Sequence, residues 1–136
     1  MTPFVLDERL ARDSHLLLIR DDIQIRLHDN ALWPWLMLVP QTEVVELCLL
    51  PDEHRSRLLS LMNDCGNFIL AYFPVEKLNI AAIGNVVSQL HVHVVGRRRD
   101  DPAWPGVVWG FPGCVPSPPD RVAAVGGQLS LYFENR

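Results

Sequence analysis

Two histidines separated by one residue are the side chains in this sequence best suited to chemistry. His91 and His93 lie in residues 89–95, QLHVHVV, where polar and apolar residues alternate. Such alternation predicts a strand in which Gln89, His91 and His93 share one face while the apolar side chains occupy the other. The two imidazoles would then lie about 7 Å apart, twice the rise per residue of a strand, close enough to meet one group of a bound molecule.

A pair of neighbouring imidazoles suits phosphoryl chemistry. One neutral ring can attack phosphorus and form a covalent intermediate. The other, when protonated, can stabilise phosphate oxygens or protonate the leaving group. From these residue types alone, we expect His91 and His93 to bind and react with a phosphate group of a small ligand.

The same two histidines have two other interpretations. His91 and His93 would suit zinc or iron as ligands, but a catalytic metal normally has a third protein ligand and none is obvious nearby. His15, His28 and His54 are distant in sequence and would have to converge in space. The third interpretation is a pair of histidines that is merely exposed at the surface.

Length and composition exclude several classes of protein. The chain has 136 residues, 49% of them hydrophobic and 21% charged, which is typical of one globular domain spanning residues 1–136. A net charge of -4 argues against a broad basic surface for nucleic acid, although a small anion could still bind locally. No apolar run reaches the roughly 20 residues of a membrane span, and no signal pattern begins the sequence. We therefore expect a cytoplasmic protein.

The cysteines do not form a recognisable framework. Cys48, Cys65 and Cys114 are three in number and irregularly spaced, which fits neither a set of disulfides nor a CxxC zinc site. We expect ordinary reduced side chains.

The remaining pattern predicts the elements that would position the histidine strand. The first half contains a short, peripheral amphipathic turn within Thr2 to Asp13, a hairpin of strands at 16–19 and 23–27, a doubly covered strand at 35–39, and a long helix from Pro51 to near Pro74. The second half contains a strand at 78–83, a turn at Gly84-Asn85, the strand at 89–95, an irregular tethered loop over 97–119 and a helix over 119–134. Together they predict an α+β fold with an antiparallel sheet of about five strands.

The histidine strand resembles the signature of the histidine triad (HIT) superfamily of nucleotide hydrolases and transferases, His-φ-His-φ-His-φ-φ with φ apolar. Only the first position differs, where Gln89 stands in place of histidine. Because two apolar residues follow His93, His91 corresponds to the middle histidine. The resemblance implies that His91 is the nucleophile that forms a nucleotidyl-histidine intermediate and that His93 contacts the substrate phosphates. Gln89 would support the nucleophile, partly through its backbone carbonyl.

The resemblance extends to two polar positions before the strand. Asn79 and the turn Gly84-Asn85 fall where the family holds phosphate oxygens, and backbone N–H groups beside an amide would form an anion cradle. Asp29 falls at the family's ribose-binding acidic position. Gly84-Asn85 alone would be an ordinary hairpin turn, and Asp29 an ordinary turn former.

The segment after the histidine strand mixes charge and tryptophan. Arg97, Arg98 and Arg99 could attract a polyphosphate, but the aspartates that follow favour a solvated, ion-paired loop. Trp104 and Trp109 would either cover the site and stack on a base or pack against the body of the domain.

The resemblance therefore predicts a hydrolase acting on a nucleoside phosphoramidate or a dinucleoside polyphosphate. No cofactor or metal is required, although a divalent cation could accompany a polyphosphate. The family also implies a homodimer formed through the sheet and the long helix. Three alternatives remain: a transferase that uses the same intermediate, a nucleotide-binding module with little turnover because of Gln89, and a metal-dependent enzyme with His91 and His93 as ligands.

Overall fold

A computed structural model describes residues 3–136 as an α+β domain, which confirms the predicted fold class. Its five-stranded antiparallel sheet has the strand order β1-β2-β3-β5-β4. The strands are β1 (Ser14–Arg20), β2 (Ile23–His28), β3 (Trp35–Pro40), β4 (Lys77–Ala81) and β5 (Val92–Arg97). The helices are α1 (Glu8–Arg12), α2 (Asp52–Tyr72) and α3 (Pro119–Glu134), with a 3-10 turn at Leu47–Leu49.

The hairpin of β1 and β2 forms where the alternating pattern predicted it. Asp21 and Asp22 connect the strands with φ angles of 52° and 59°. Two consecutive positive φ angles are typical of the tight turn whose twist matches that of the flanking strands. The hairpin thereby sets which side chains of β2 face each side of the sheet.

One face of the sheet packs against α2 and α3. Alternate residues of β2, β3 and β5, such as Ile25, Leu38 and Val94, are fully buried there against side chains of both helices. Gly96 permits the close approach of α2, because a β-carbon at this position would lie 2.7 Å from the side chain of Ile69. This aliphatic core holds β5 in place.

The opposite face is covered too, by α1 and the irregular segment after β5. Trp35 and Met37 of β3 are buried there with Leu10 of α1 and Val108 of the irregular segment. All six residues of β3 are buried, which confirms a strand covered on both faces. The N-terminal stretch lies at the surface, as predicted, since its residues from Pro3 onward are mostly exposed or half-buried, but Leu10 of α1 is buried against this face; Thr2 lies outside the described residues.

All five strands differ from their predicted bounds by one to three residues, and the differences in β4 and β5 affect the site. β4 starts one residue earlier than the predicted range 78–83 and stops at Ala81, two residues short of its end. β5 starts at Val92, three residues later than the predicted range 89–95. Gln89 and His91 therefore lie in an extended segment that leads into β5. Their polar groups bond to one another and to the N-terminal segment instead of to a neighbouring strand.

The loop predicted over 97–119 is irregular and tethered, as expected, but Arg97, which ends β5, is not solvated. Arg97 is 1% exposed and donates two hydrogen bonds to the carboxylate of Asp101, at 2.8 and 3.0 Å. Its guanidinium also lies 5.5 Å from the ring centre of Trp104. The expectation of a solvated loop holds for Arg98 and Arg99, which form exposed ion pairs. Arg97 thus differs from Arg98 and Arg99 because its guanidinium is buried between the rings of Trp33 and Trp104.

Two expectations concern the chain as a whole. Within residues 3–136, no helix has the length and hydropathy to cross a membrane. Cys48, Cys65 and Cys114 are free thiols, as predicted, and burial raises the pKa of Cys65 to about 12.

Candidate active site

A pocket of about 260 Å³ lies on the face of the sheet away from α2 and α3, and both histidines line it. The other predicted site residues at this pocket are Gly84 and Asn85, from the turn after β4. The wall also includes Leu10 of α1, His28 at the end of β2, Met37 of β3, Val87 between β4 and β5, and Trp109 of the irregular segment after β5. The fold therefore brings together His91, His93 and the predicted phosphate-binding turn.

The ring of His91 is held by the backbone two residues before it. Nδ1 of His91 lies 2.7 Å from the carbonyl oxygen of Gln89. A carbonyl oxygen only accepts hydrogen bonds, so Nδ1 must carry the proton. In the neutral ring Nε2 then has the free lone pair, which is the form required of a nitrogen nucleophile.

The ring of His93 has the opposite arrangement. The indole Nε1 of Trp35 lies 2.9 Å from Nδ1 of His93, within the buried face. An indole N–H only donates, so Nδ1 of His93 accepts and the proton of the neutral ring lies on Nε2. Burial, with smaller contributions from His91 and His28, lowers the pKa of His93 to about 3. Near neutral pH, His93 is a neutral ring with an N–H donor at Nε2.

The two rings lie close enough to act on one group. Their centres are 4.9 Å apart, and the planes are inclined at 74°. The ring centres are therefore closer than the roughly 7 Å that separates alternate residues along a regular strand, and His91 lies just before β5 begins. A lone pair on one ring and an N–H donor on the other can therefore face the same phosphate.

Comparison with known proteins shows which family the chain resembles in sequence and fold. A family model described as the HIT domain matches residues 9–100. A histidine triad protein from Sinorhizobium meliloti is 38% identical with a TM-score of 0.91, over 95% of this chain and 96% of that one. Another from Marinobacter aquaeolei is 38% identical with a TM-score of 0.92, over 98% of both chains. A third, from Bradyrhizobium japonicum, is 30% identical with a TM-score of 0.91, over 96% and 98%.

The chain belongs to the histidine triad family. The resemblance drawn from the motif at residues 89–95 is thereby confirmed. No curated protein matches the sequence.

In this histidine triad protein, the side chain of Gln89 does not line the pocket. Its Oε1 accepts a hydrogen bond of 2.8 Å from the backbone N–H of Asp7, and its Nε2 donates one of 2.9 Å to the carbonyl of Val5. Only the backbone carbonyl of Gln89 contacts the ring of His91. The amide therefore fastens the N-terminal segment, and the contact with the histidine does not depend on the side chain at position 89.

The turn after β4 depends on glycine. Gly84 has a φ of +68°, a conformation that side chains with a β-carbon rarely adopt. The following residues are held from α1, because the guanidinium of Arg9 donates a hydrogen bond of 3.1 Å to the carbonyl of Val86. Gly84 and Asn85 are therefore fixed at the rim of the pocket, and their role in phosphate binding stays a prediction.

Besides Gln89, two more predicted site residues lie outside this pocket. Asn79 of β4 accepts a hydrogen bond of 2.8 Å from Arg97. Asp29 accepts one of 2.8 Å from the backbone N–H of Ser117 and lies 3.0 Å from Nε2 of His15. Their side chains hold neighbouring segments of the chain in place. Phosphate binding by Asn79 and ribose binding by Asp29 stay predictions.

His28 is a pocket residue that the sequence interpretation considered only as a distant metal ligand. It ends β2, and its ring centre lies 4.1 Å from that of Trp35 and 6.5 Å from that of His93. Its Nδ1 is buried and has no hydrogen-bond partner among residues 3–136. Burial is the main cause that lowers the pKa of His28, although Asp13 and Asp29 raise it. The alternation of β2 was the available signal, but the strand order that brings His28 to His93 could not be inferred from it.

The two tryptophans of the irregular segment have different positions. Trp109 lines the pocket, with its ring centre 5.4 Å from that of His93 and 5.9 Å from that of Trp35. Trp104 instead packs on Arg97. Trp109 therefore has the first predicted role, covering the site, and Trp104 has the second, packing against the body of the domain.

The metal-ligand interpretation has no third ligand in the described part of the chain. Residues 3–136 contain no group of three or more histidine, cysteine, aspartate or glutamate side chains arranged to hold a metal ion. Of the three distant histidines, His28 lines the pocket, with its ring centre 6.5 Å from that of His93, but belongs to no such group; His15 contacts Asp29, and His54 lines a separate pocket beside Asp21.

Proposed function

We propose that this protein is a nucleotide hydrolase that works through a nucleotidyl-histidine intermediate on His91. Membership in the histidine triad family makes nucleotide hydrolysis or transfer the expected class of activity. The observation that carries the finer proposal is the hydrogen bond from Nδ1 of His91 to the carbonyl of Gln89. This bond leaves Nε2 with its lone pair in a pocket shared with His93.

The first step is attack of Nε2 of His91 on the α-phosphorus of the nucleotide. An N–P bond forms, the bond from phosphorus to the leaving group breaks, and its electron pair goes to the departing atom. The imidazole becomes positively charged as this happens. The carbonyl oxygen of Gln89 stabilises that charge through Nδ1–H.

The second step is hydrolysis of the intermediate. A water molecule attacks phosphorus and gives up a proton to the surrounding solvent, the nucleoside monophosphate is released, and the electron pair of the N–P bond returns to Nε2 of His91. During both steps, Nε2–H of His93 donates a hydrogen bond to a phosphate oxygen. The turn at Gly84 and Asn85 offers backbone N–H groups to the remaining phosphate oxygens. No step needs a metal, and a divalent cation would act only by accompanying a polyphosphate.

The test is to trap the intermediate. Purified protein would be incubated with adenosine 5′-phosphoramidate or with a diadenosine polyphosphate, then quenched in base, where the N–P bond survives, and analysed by peptide mass spectrometry. We expect an added nucleotidyl group on His91 and release of the nucleoside monophosphate. The absence of adduct and product with both substrates would contradict the proposal and leave a binding module.

Two additions to the same assay separate the remaining alternatives. Inorganic phosphate or a sugar phosphate would accept the nucleotidyl group if the protein is a transferase, and the product would then change from the monophosphate to the nucleotidylated acceptor. A chelator would abolish turnover if His91 and His93 held a catalytic metal. We expect monophosphate as the main product and turnover that survives chelation.

We also propose a homodimer, as the family resemblance implies. Apolar side chains that would suit a contact are exposed on α2, at Leu59 and Leu70, and on the edge strand β4, at Ile80. Light scattering during size-exclusion chromatography would give twice the mass of one 15.4 kDa chain.

A further inference from the structure

We propose that Trp35 fixes His93 as a neutral hydrogen-bond donor, so that the preferred substrates are phosphoanhydrides, whose leaving group departs as an anion, and not phosphoramidates. This inference rests on the proposed function and narrows its substrate class. It assigns Trp35 a positioning role, because Trp35 acts on the substrate only through His93.

The contact between the two side chains is built into the sheet. β3 and β5 pair with Trp35 opposite Val95 and Met37 opposite His93, so Trp35 and His93 are diagonal neighbours on one face. They are 4% and 6% exposed, and water therefore has little opportunity to replace their hydrogen bond. The indole is itself held between neighbouring rings, at 4.1 Å from His28 and 5.9 Å from Trp109.

Protonation of His93 would break this arrangement. A second proton would have to go on Nδ1, where it would face the indole N–H of Trp35, donor against donor. The rings nearest to His93 are those of His91 before β5, His28 at the end of β2 and Trp109 of the irregular segment, and none of these is acidic. The charged residues of the same pocket are Arg9, Arg12 and Asp13, and no hydrogen bond joins Asp13 to His93. The low pKa of His93, about 3, agrees with this geometry.

The protonation state of His93 decides which leaving groups can depart when the bond to phosphorus breaks. In a phosphoanhydride, attack by His91 leaves the electron pair of the P–O bond on a phosphate oxygen, which departs as an anion without needing a proton. In a phosphoramidate, the electron pair goes to nitrogen, which must gain a proton to leave as an amine. A neutral imidazole can hydrogen-bond to that nitrogen but is a poor acid. Nδ1–H of His91 is bonded to Gln89 and is not available either.

The first experiment compares leaving groups in the unmodified protein. Rates of nucleotidyl transfer to His91 would be measured with diadenosine polyphosphate and with adenosine 5′-phosphoramidate. General acid catalysis contributes about 10²- to 10⁴-fold, so its absence should make the phosphoramidate slower by about that factor in kcat/KM. Similar rates with both substrates would overturn the inference and leave the proposed function intact. No adduct from either substrate would overturn the proposed function itself.

The second experiment tests the tautomer with a matched pair of variants. Trp35→Phe and Trp109→Phe each shorten a tryptophan whose ring centre lies 5.7 or 5.4 Å from that of His93, but only Trp35 donates to Nδ1. Nitrogen-15 NMR of labelled histidine reports which ring nitrogen carries the proton. We expect W35F to lose the single Nε2–H tautomer and W109F to keep it.

A third variant separates positioning from structure. Trp35→His keeps a ring N–H at this position, and we expect it to restore part of the Nε2–H population at His93 and of the preference for the anhydride. If W35F keeps the wild-type tautomer and the wild-type ratio of the two substrates, Trp35 has no such role. The leaving-group comparison in the unmodified protein decides the inference even if W35F does not fold.

Discussion

His91 and His93 are two residues apart, yet their Nδ1 atoms have opposite partners. His91 donates to a carbonyl of its own segment, at Gln89, whereas His93 accepts from Trp35, which lies 58 residues earlier in the chain. The first partner leaves a lone pair at Nε2 and the second leaves a proton there. The atom behind each ring, and not the residue type, therefore decides which histidine is the nucleophile and which is the donor.

Removing the nucleophile should produce the largest effect. We expect His91→Ala to abolish the nucleotidyl adduct and to lower kcat/KM by about 10⁴-fold or more, since loss of a covalent nucleophile has effects of this order. The matched control is His54→Ala, an exposed histidine at a different pocket. If the adduct survives in H91A, the assignment of the two rings is wrong.

Breaking the buried ion pair between Arg97 and Asp101 should produce the next largest effect, on the stability of the fold. Asp101→Asn leaves Arg97 buried without its counter-charge, and we expect a loss of about 3–5 kcal/mol in the free energy of unfolding. The segment that carries Trp109 over His93 should loosen with it. Urea unfolding would measure the loss.

The control for this variant is Asp100→Asn, whose carboxylate is 82% exposed and forms only a surface ion pair. Its effect should stay within about 0.5 kcal/mol. Equal effects of D100N and D101N would contradict the account of the buried arginine.

Acid should destabilise the fold through His93. The pKa of His93 is about 3 in the folded protein and near the ordinary 6.5 when unfolded. Between these values the unfolded chain binds the additional proton, so stability is present above pH 6.5 and is lost as the pH falls toward 3. The slope contributed by this residue is at most about 1.4 kcal/mol per pH unit.

Urea unfolding at several pH values would measure this slope. His93→Gln should reduce it, while the exposed control His54→Gln should leave it unchanged. Some slope should remain in H93Q, because burial also lowers the pKa of His28. An unchanged slope in H93Q would show that His93 is not held neutral.

The smallest effect should come from the side chain that replaces the first histidine of the signature. Gln89→Ala removes the bonds to Asp7 and Val5 but not the backbone carbonyl that holds His91. We expect a loss of about 1–3 kcal/mol in stability, an adduct that still forms on His91, and a decrease of less than about tenfold in kcat/KM. A loss as large as that of H91A would mean that the side chain at position 89 acts in the chemistry.

Most of the fold could be predicted from the sequence because the patterns that indicate helices and strands are local. Alternation at 23–27, the apolar run at 35–39 and the helical spacing after Pro51 each predicted an element that the structure contains. The C-terminal helix has the predicted bounds, 119–134.

The parts of the site that the sequence did not predict depend on strand order. The partner of His93 is on β3, and His28 reaches the pocket from β2, two strands away from β5. The burial of Arg97 likewise depends on Trp33 and Trp104, which are distant from one another in sequence. Residue spacing identified the two histidines but could not indicate what lies behind each ring.

The most direct test is the tautomeric state of both histidines in the unmodified protein. Nitrogen-15 NMR should place the proton of the neutral His91 ring on Nδ1 and should show His93, near neutral pH, as a neutral ring with its proton on Nε2. The same tautomer in both rings, or a protonated His93, would contradict the division of roles between nucleophile and donor.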